Sequence, residues 1–265
     1  MADLYSYSKL STFTECPRNF YYTYICGERG GESVYTYLGT AAHDLAEAID
    51  LGKISSDEAA ERFVDAVDES DVLGFTWITE KSKVNYVECV SHFLRNHRPT
   101  GDPNIKIEDV FAVEIGNTVI WGFIDKWSMV GNTIYITDYK TSSKFSGADL
   151  EHKKLQLYIY AEALQRYYPK HDIKIQFNMM KYADTGKTLK ARNELKIASE
   201  YNEGLVTFDY TDACREALHE WVNTTIGAIN AKDRDDILDW KMGRNPDKDF
   251  FCANLCSHHD KCTNA

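Results

Sequence analysis

The sequence lacks any apolar run that approaches the roughly 20 residues needed by a membrane-spanning helix. Its start, MADLYSYSKLSTFTECPRNF, also lacks the basic region followed by an apolar run that marks a signal peptide. No internal repeat, low-complexity linker or Gly-x4-Gly-Lys-Ser/Thr nucleotide-binding motif is present. These absences predict a cytoplasmic protein that involves neither a membrane nor ATP.

Positive charge is scarce as well. The 265 residues include 30 Lys or Arg and 41 Asp or Glu, which gives a formal net charge of −11. Because affinity for phosphates comes mostly from Lys and Arg, this balance disfavours non-specific coating of nucleic acid. It leaves open a nucleic-acid enzyme whose basic residues cluster at one groove and whose carboxylates bind metal. With 43% apolar and 27% charged residues, the composition is typical of a soluble globular protein.

Cysteine is clustered near the end of the sequence. The segment FFCANLCSHHDKC, residues 250–262, contains Cys252, Cys256 and Cys262. In a reducing compartment such a cluster indicates metal or redox chemistry rather than disulfides. A closed tetrahedral metal site needs four ligands, so a fourth ligand must come from elsewhere. The isolated cysteines are interpreted as small buried apolar residues: Cys26, Cys89 and Cys214.

The first third of the sequence has helical periodicity. Ser8 is predicted to cap a short helix that ends at Glu15. Further along, Ser55 and Glu58 have the spacing of a capping box that opens another helix. We therefore predict several helices before the first strand.

The periodicity changes near residue 105. The segments IEDVFAVEI, TVIWGFIDKWSMV and TIYITDYK alternate or are rich in β-branched and aromatic residues, which predicts strands. They are separated by Gly116-Asn117 and Gly131-Asn132, each typical of a two-residue hairpin turn. A helix near residues 148–168, two more strands and a final long helix follow. This order predicts an α/β fold with a mixed central sheet flanked by helices.

The second hairpin pairs two carboxylates. If Gly131 and Asn132 form its loop, paired residues have numbers that sum to 263, and Asp125 lies directly across from Asp138. Their Cβ atoms would be about 4.5–5.5 Å apart, where like charges destabilise a sheet. A divalent cation would relieve this repulsion, and oxygen ligands suit Mg²⁺ or Mn²⁺. Lys140 shares the face of Asp138, and the alternative is a simple salt bridge at a sheet edge.

Other residues are candidates for the same site. His43 lies in GTAAHDLAE on a predicted helix, and Gln156 and Tyr160 share one face of a later helix. Each of these alone is more often a packing residue. Glu114 shares the sheet face of Asp125 but would lie opposite Val119, about 20 Å along the strand, so a bulge would be needed.

Together the segments GTAAHDLAE, GFIDKW, ITDYKTS and QLYIY resemble the RecB-like branch of the PD-(D/E)xK nuclease superfamily, in its order and spacing. The resemblance implies a restriction-endonuclease-like core at residues 36–210 within a single domain, 1–265. It also implies metal ligation by His43, Asp125, Asp138 and the backbone carbonyl of Tyr139. The catalytic residues that it implies are Asp125, Asp138, Lys140, Gln156 and Tyr160.

The two ends of the sequence extend the resemblance. SKLSTFTECPRNFYYTYI followed far downstream by CANLCSHHDKC is similar to the split four-cysteine site of AddB-type and CRISPR-associated nucleases and their phage relatives. It implies that Cys16 joins the C-terminal trio around a [4Fe–4S] cluster that links segments 1–30 and 240–265. The position of Cys16 at a helix N-terminus, which lowers a thiol pKa, agrees with this. A Cys3His zinc site using His258 or His259 is the alternative.

The resemblance implies a Mg²⁺- or Mn²⁺-dependent DNA exonuclease that acts on single strands or DNA ends. Recombination, repair, or phage- or CRISPR-related DNA processing is the implied context, with a recombination or CRISPR-adaptation protein as partner and, for a phage protein, the host cytoplasm as location. A non-catalytic iron–sulfur protein that binds DNA or a partner, and an RNA-directed nuclease, are the alternatives. The predicted basic rim comprises Lys144, Lys153, Lys154, Lys181, Lys187, Lys190 and Arg192.

Overall fold

The computed structural model describes residues 4–28, 30–99, 101–142, 145–182, 204–245 and 249–263. Four residues of the predicted basic rim lie outside these ranges: Lys144, Lys187, Lys190 and Arg192. Two compact units are present and are described separately. The first comprises Met1–Glu32, Ala112–Gly122 and Asp212–Ala265, and the second comprises Ser33–Phe111 and Phe123–Thr211.

Four of the helices before the first strand begin at a serine or threonine whose side chain caps them. The helical elements before this strand are α1 (Tyr7–Glu15), α2 (Pro17–Phe20), a π-helical turn (Tyr21–Ile25), α3 (Val34–Asp50), α4 (Ser56–Val72) and α5 (Glu80–Asn96). The capped helices are α1, α3, α4 and α5. Ser55 caps α4 by accepting a hydrogen bond from the Glu58 backbone N–H, as predicted. The predicted cap at Ser8 is wrong, because extended Ser6 accepts from the Lys9 N–H and starts α1 earlier.

Five strands form one mixed sheet, which confirms the predicted fold class. They are β1 (Lys106–Ile115), β2 (Thr118–Val130), β3 (Thr133–Lys140), β4 (Asp172–Met179) and β5 (Leu205–Asp209), in spatial order β1-β2-β3-β4-β5. β2 is antiparallel to β3, and β4 is parallel to β3. β5 is antiparallel to β4. Helix α6 (Gly147–Tyr167) makes the crossover that the parallel pair requires.

The hairpin between β2 and β3 has the predicted register. Lys126 pairs with Thr137 and Val130 with Thr133, so the paired numbers sum to 263. Gly131 has φ +61°, which suits the first central position of a two-residue turn and is readily adopted only by glycine. The turn and the alternating pattern together specify which side chains face each other.

The core of the second unit lies between the sheet and helices α3, α4 and α5. Leu38 and Ala46 of α3, Phe63 of α4 and Leu94 of α5 are buried there with Tyr139 of β3. These apolar positions recur every three or four residues along each helix, so one face of each helix packs inward. The helices thereby hold α3 close to the end of β3.

The first unit combines both ends of the sequence. It contains α7 (Asp212–Asn230), a 3₁₀ turn (Ile237–Asp239), α8 (Phe250–Asn254) and α9 (His259–Thr263) in addition to α1 and α2. Trp240 is fully buried and stacks on Phe20 with ring centroids 5.6 Å apart, while Arg18 donates to its carbonyl oxygen at 2.6 Å. Cys26 is exposed where the chain leaves the π-helical turn, so its predicted burial is wrong, whereas Cys89 is buried as predicted.

No helix in the described parts of the chain is both long and apolar enough to span a membrane.

Candidate active site

Asp125 and Asp138 lie side by side on β2 and β3. The ladder runs to Lys126↔Thr137, and the next step places Asp125 opposite Asp138. The two carboxyl groups hydrogen-bond to each other, and burial together with the charge of Asp138 raises the pKa of Asp125 well above its ordinary value. Two carboxyl groups in contact cannot both ionise easily, so a proton or a cation must lie between them. This arrangement fits a divalent metal with oxygen ligands.

Lys140 connects this pair to helix α6. Its ammonium nitrogen lies 2.9 and 2.7 Å from the two carboxylate oxygens of Asp138 and donates to Gln156 Oε1 at 3.2 Å. Gln156 Nε2 in turn donates to the Tyr160 hydroxyl at 2.8 Å. Burial and the nearby charges of Asp125 and Asp138 raise the pKa of Tyr160, so its hydroxyl stays protonated. The chain of contacts fixes the lysine beside the carboxylates.

His43 approaches the pair from α3. Its Nδ1 lies 3.8 Å from Asp125 Oδ2, and its ring hydrogen-bonds the backbone of Tyr139. Burial lowers the pKa of His43, so the ring is neutral, which is the form that can ligate a metal. Gly39, one turn earlier, permits this approach, since a Cβ atom there would lie 3.3 Å from Thr141 Oγ1.

Two acidic residues near the pair were missed from the sequence. Glu108 of β1 adds to the charge that raises the pKa of Asp125. It has φ +51°, the one positive value among the non-glycine residues that the structure describes. Burial and the charge of Glu108 raise the pKa of Glu47 to about 7. A tight Gly116-Asn117 turn pairs numbers that sum to 233, and this arithmetic would have selected Glu108 as the partner of Asp125.

Glu114 remains a prediction. It is exposed on β1 within the first unit, whereas Asp125 belongs to the second. Of the predicted basic rim, Lys154 is paired with Glu151 at 2.8 Å, and burial lowers the pKa of Lys181. The rim as a whole stays a prediction, since four of its seven residues lie outside the described ranges.

The four clustered cysteines line one pocket in the first unit: Cys16, Cys252, Cys256 and Cys262. Burial, followed by the charge of Cys256, raises the pKa of Cys252 to about 11. Cys256 and Cys262 also have raised pKa values, mainly from burial. Thiols gathered in this way resist ionisation unless a metal compensates the charge, so the donor set fits a thiolate-bound metal group.

Gly243 brings the C-terminal segment to Cys16. Its backbone N–H donates to Cys16 Sγ at 3.3 Å, and a Cβ atom at this position would lie 2.3 Å from the Glu15 carbonyl oxygen. Arg244 then pairs with Glu15 at 3.4 Å and with Asp249 at 3.3 Å. The two ends of the chain are therefore held together by contacts that do not involve a metal.

Both candidate zinc-binding histidines line the same pocket. His258 is buried, with Nε2 3.2 Å from Thr23 Oγ1, and burial lowers its pKa. His259 has a buried Nδ1 atom without a hydrogen-bond partner. The pocket therefore provides six sulfur and nitrogen donors, which suit either a four-cysteine cluster or a Cys3His zinc site.

Neither site is closed. Over the described ranges of the chain, no group of three or more His, Cys, Asp or Glu side chains could hold a metal ion as it stands. In both places the side chains would have to shift for a metal to bind.

Comparison with protein families identifies a match to this chain. Residues 5–263 match the model of a family described as the PD-(D/E)XK nuclease superfamily, so the match covers nearly the whole chain. No curated protein matches the chain.

Proposed function

Because the chain belongs to the PD-(D/E)XK nuclease superfamily, which implies nuclease activity, we propose that it is a Mg²⁺- or Mn²⁺-dependent deoxyribonuclease. One observation carries the proposal: Asp125 lies directly opposite the buried Asp138, with the Lys140 ammonium on Asp138. An isolated salt bridge would need a single carboxylate. A second carboxylate directly opposite the first destabilises the sheet unless the two bind a cation together.

Four groups would hold the metal in this proposal: His43, Asp125, Asp138 and the backbone carbonyl of Tyr139. The His43 ring already contacts both Asp125 and the Tyr139 backbone, so small rotations would suffice to gather them. When bound, the metal would polarise the scissile phosphate and lower the pKa of an attacking water.

Lys140 has a separate task. Its ammonium group donates a hydrogen bond to the Asp138 carboxylate, and in the complex it would orient water or stabilise the charge that develops on phosphate. Gln156 holds the ammonium in place, and Tyr160 holds Gln156. Because the Tyr160 hydroxyl stays protonated, it can also donate to a DNA phosphate.

The finer parts of the proposal rest on the resemblance of the motifs to RecB-like nucleases. They are an exonuclease activity on single-stranded DNA or DNA ends and a role in recombination, repair, or phage- or CRISPR-related processing. The same resemblance, with the four cysteines in one pocket, supports a structural [4Fe–4S] cluster. The partner would be a recombination or CRISPR-adaptation protein.

The direct test uses anaerobically purified protein and end-labelled single- and double-stranded DNA, each with Mn²⁺ or with chelator. Cleavage that requires Mn²⁺ and disappears in Asp138→Ala is expected. Asp212→Ala serves as the matched control because it removes an exposed carboxylate that pairs with a neighbouring arginine on its own helix. Metal-dependent cleavage of a matched RNA strand but not of DNA would instead support the RNA-directed alternative. Binding of DNA with no cleavage would support the non-catalytic alternative.

A further inference from the structure

Four polar side chains meet in the core of the second unit: Asp50, His97, Lys126 and Tyr139. Lys126 Nζ lies 2.8 Å from both carboxylate oxygens of Asp50 and 3.0 Å from the Tyr139 hydroxyl. The Tyr139 hydroxyl donates to Asp50 Oδ2 at 2.5 Å, and His97 Nε2 lies 3.0 Å from Asp50 Oδ1. We call these four residues the Asp50 cluster.

The Asp50 cluster lies directly behind the carboxylate pair. Lys126 follows Asp125 in β2, and Tyr139 follows Asp138 in β3. Successive side chains in a strand point to opposite faces, so Lys126 and Tyr139 project away from the two carboxylates. Asp50 therefore bonds, from the other side of the sheet, to the immediate neighbour of each aspartate.

The geometry of the Asp50 cluster is tightly constrained. The side chain of Asp50 is 0% exposed and that of Lys126 is 8% exposed. A buried charge that loses its partner costs several kilocalories per mole, so neither residue can move away from the other freely. Burial raises the pKa of Asp50, but the His97 hydrogen bond and the Lys126 charge outweigh it and keep this carboxylate ionised.

The core packing around Tyr139 gives way to open space along this part of the sheet. A cavity of about 560 Å³ adjoins the Asp50 cluster and is lined by residues of β2, β3 and β4 that include Ser128, Tyr135 and Thr137. Where side chains face a cavity, they cannot fix the spacing of the strands beneath them. Beside this cavity, the hydrogen bonds of the Asp50 cluster link β2 and β3 to the ends of α3 and α5 next to the carboxylate pair.

We infer that the Asp50 cluster is a positioning device that holds Asp125 and Asp138 at the separation at which they can share one divalent metal ion. The inference rests on the proposed function and adds side chains to it that touch neither metal nor substrate; of Tyr139, only the backbone carbonyl is a proposed metal ligand. Without the cluster, the repulsion between the two carboxylates would push the strands apart and loosen the metal ligands. Such outer residues typically affect metal affinity by about 10- to 100-fold.

The test compares two tyrosines on the same face of β3. Tyr139→Phe removes the hydroxyl that bonds Asp50 and Lys126 but keeps the ring in the core. Tyr135→Phe removes a hydroxyl from a residue that lines the cavity. In the described part of the chain, Tyr135 makes no hydrogen bond to Asp50. Mn²⁺ affinity is measured by calorimetry, and hydrogen exchange at Asp125–Lys126 and Asp138–Tyr139 is measured on metal-free protein.

We expect Tyr139→Phe to weaken Mn²⁺ binding about 10-fold or more and to speed exchange at these amides. Tyr135→Phe should change neither the Mn²⁺ affinity nor the exchange rates, and its denaturant midpoint should equal that of the wild type. Equal Mn²⁺ affinity and equal exchange in both variants would overturn the inference. If the wild-type protein binds no Mn²⁺, the proposed function fails, and the exchange comparison alone decides whether the cluster positions the strands. Asp50→Asn combined with Tyr139→Phe should be non-additive, because both changes break one network.

Discussion

At the scale of single residues, the electrostatic environment of Asp125 lowers the stability of the metal-free protein. Burial, the Asp138 charge and the shared hydrogen bond all raise its pKa. An acid whose pKa is raised on folding contributes stability that is complete below its unfolded pKa and is lost as the pH rises through its folded pKa. Near neutral pH the carboxylate pair therefore lowers the stability of the metal-free protein. It also favours the binding of a cation between the two carboxylates.

This cost predicts the effect of Asp125→Asn. The amide keeps a hydrogen bond to Asp138 but carries no charge, so the metal-free variant should be more stable than wild type at pH 7 by about 1 kcal/mol. Urea denaturation at pH 7 and pH 4 measures this, and the advantage should shrink at pH 4, where wild type is protonated. A variant less stable than wild type at both pH values would contradict the expectation.

Metal affinity should depend on pH for the same reason. Mn²⁺ must displace the proton that the raised pKa of Asp125 retains, so its affinity should fall as the pH is lowered and binding should release protons. Calorimetry in two buffers of different ionisation enthalpy measures the proton release. Binding with no proton release at pH 6 would show that the carboxylates are already ionised.

Lys140 and Asp138 should separate binding from turnover. Asp138→Ala removes a proposed ligand and should abolish both Mn²⁺ binding and cleavage. Lys140→Ala leaves the carboxylates and should keep Mn²⁺ binding while cleavage falls about 100-fold or more. Calorimetry and single-turnover cleavage measure the two effects, and full activity in Asp138→Ala would disprove the assignment.

At the scale of elements, the docking of the C-terminal segment depends on one glycine. A Cβ atom at Gly243 would meet the Glu15 carbonyl oxygen at 2.3 Å and Cys16 Cα at 2.9 Å, and both are backbone atoms that cannot rotate away. Gly243→Ala should therefore separate this segment from Cys16 and destabilise the protein by about 1–3 kcal/mol.

Gly227 provides the matched control for Gly243. It lies inside α7, and a Cβ atom there would meet nothing within 4 Å. Gly227→Ala should stabilise the protein by about 0.5–1 kcal/mol, because alanine loses less backbone entropy in a helix. Thermal denaturation compares the two, and equal midpoints would contradict the assigned role of Gly243.

At the scale of the whole molecule, the cysteine pocket joins segments from opposite ends of the chain. Cys16→Ala should lose the proposed cluster and with it the brown colour and the iron. It should also lower stability by up to about 5 kcal/mol, since a bridge between such distant residues closes a very long loop. Nuclease activity should fall only as far as the fold loosens.

Metal analysis of anaerobically purified protein decides this prediction. The isolated cysteines serve as controls, and replacing Cys26, Cys89 or Cys214 should leave the iron content unchanged. About one zinc per chain and no iron would favour the Cys3His alternative with His258 or His259. A Cys16→Ala protein with full iron content would place the fourth ligand elsewhere.

Features that depend on local geometry could be predicted from the residues alone. Gly131, with its positive φ, and the period of two in β2 and β3 specify the hairpin register, and this register places Asp125 beside Asp138. The family match over residues 5–263 agrees with the motifs quoted from the sequence. The cap of α1 was misplaced because Ser6 and Ser8 are equally able to cap, and only the backbone at Ser6 selects between them.

The residues that approach the carboxylate pair from elsewhere in the chain could not be predicted and become visible in the folded protein. Asp50 is 76 residues from Lys126 and 47 from His97, and no local pattern specifies that these side chains converge. The signal in the sequence was a lysine at the centre of an apolar strand, which indicates a buried partner without identifying it. The packing of α3 and α5 against the sheet supplies the partner, because it depends on the shapes of many side chains together.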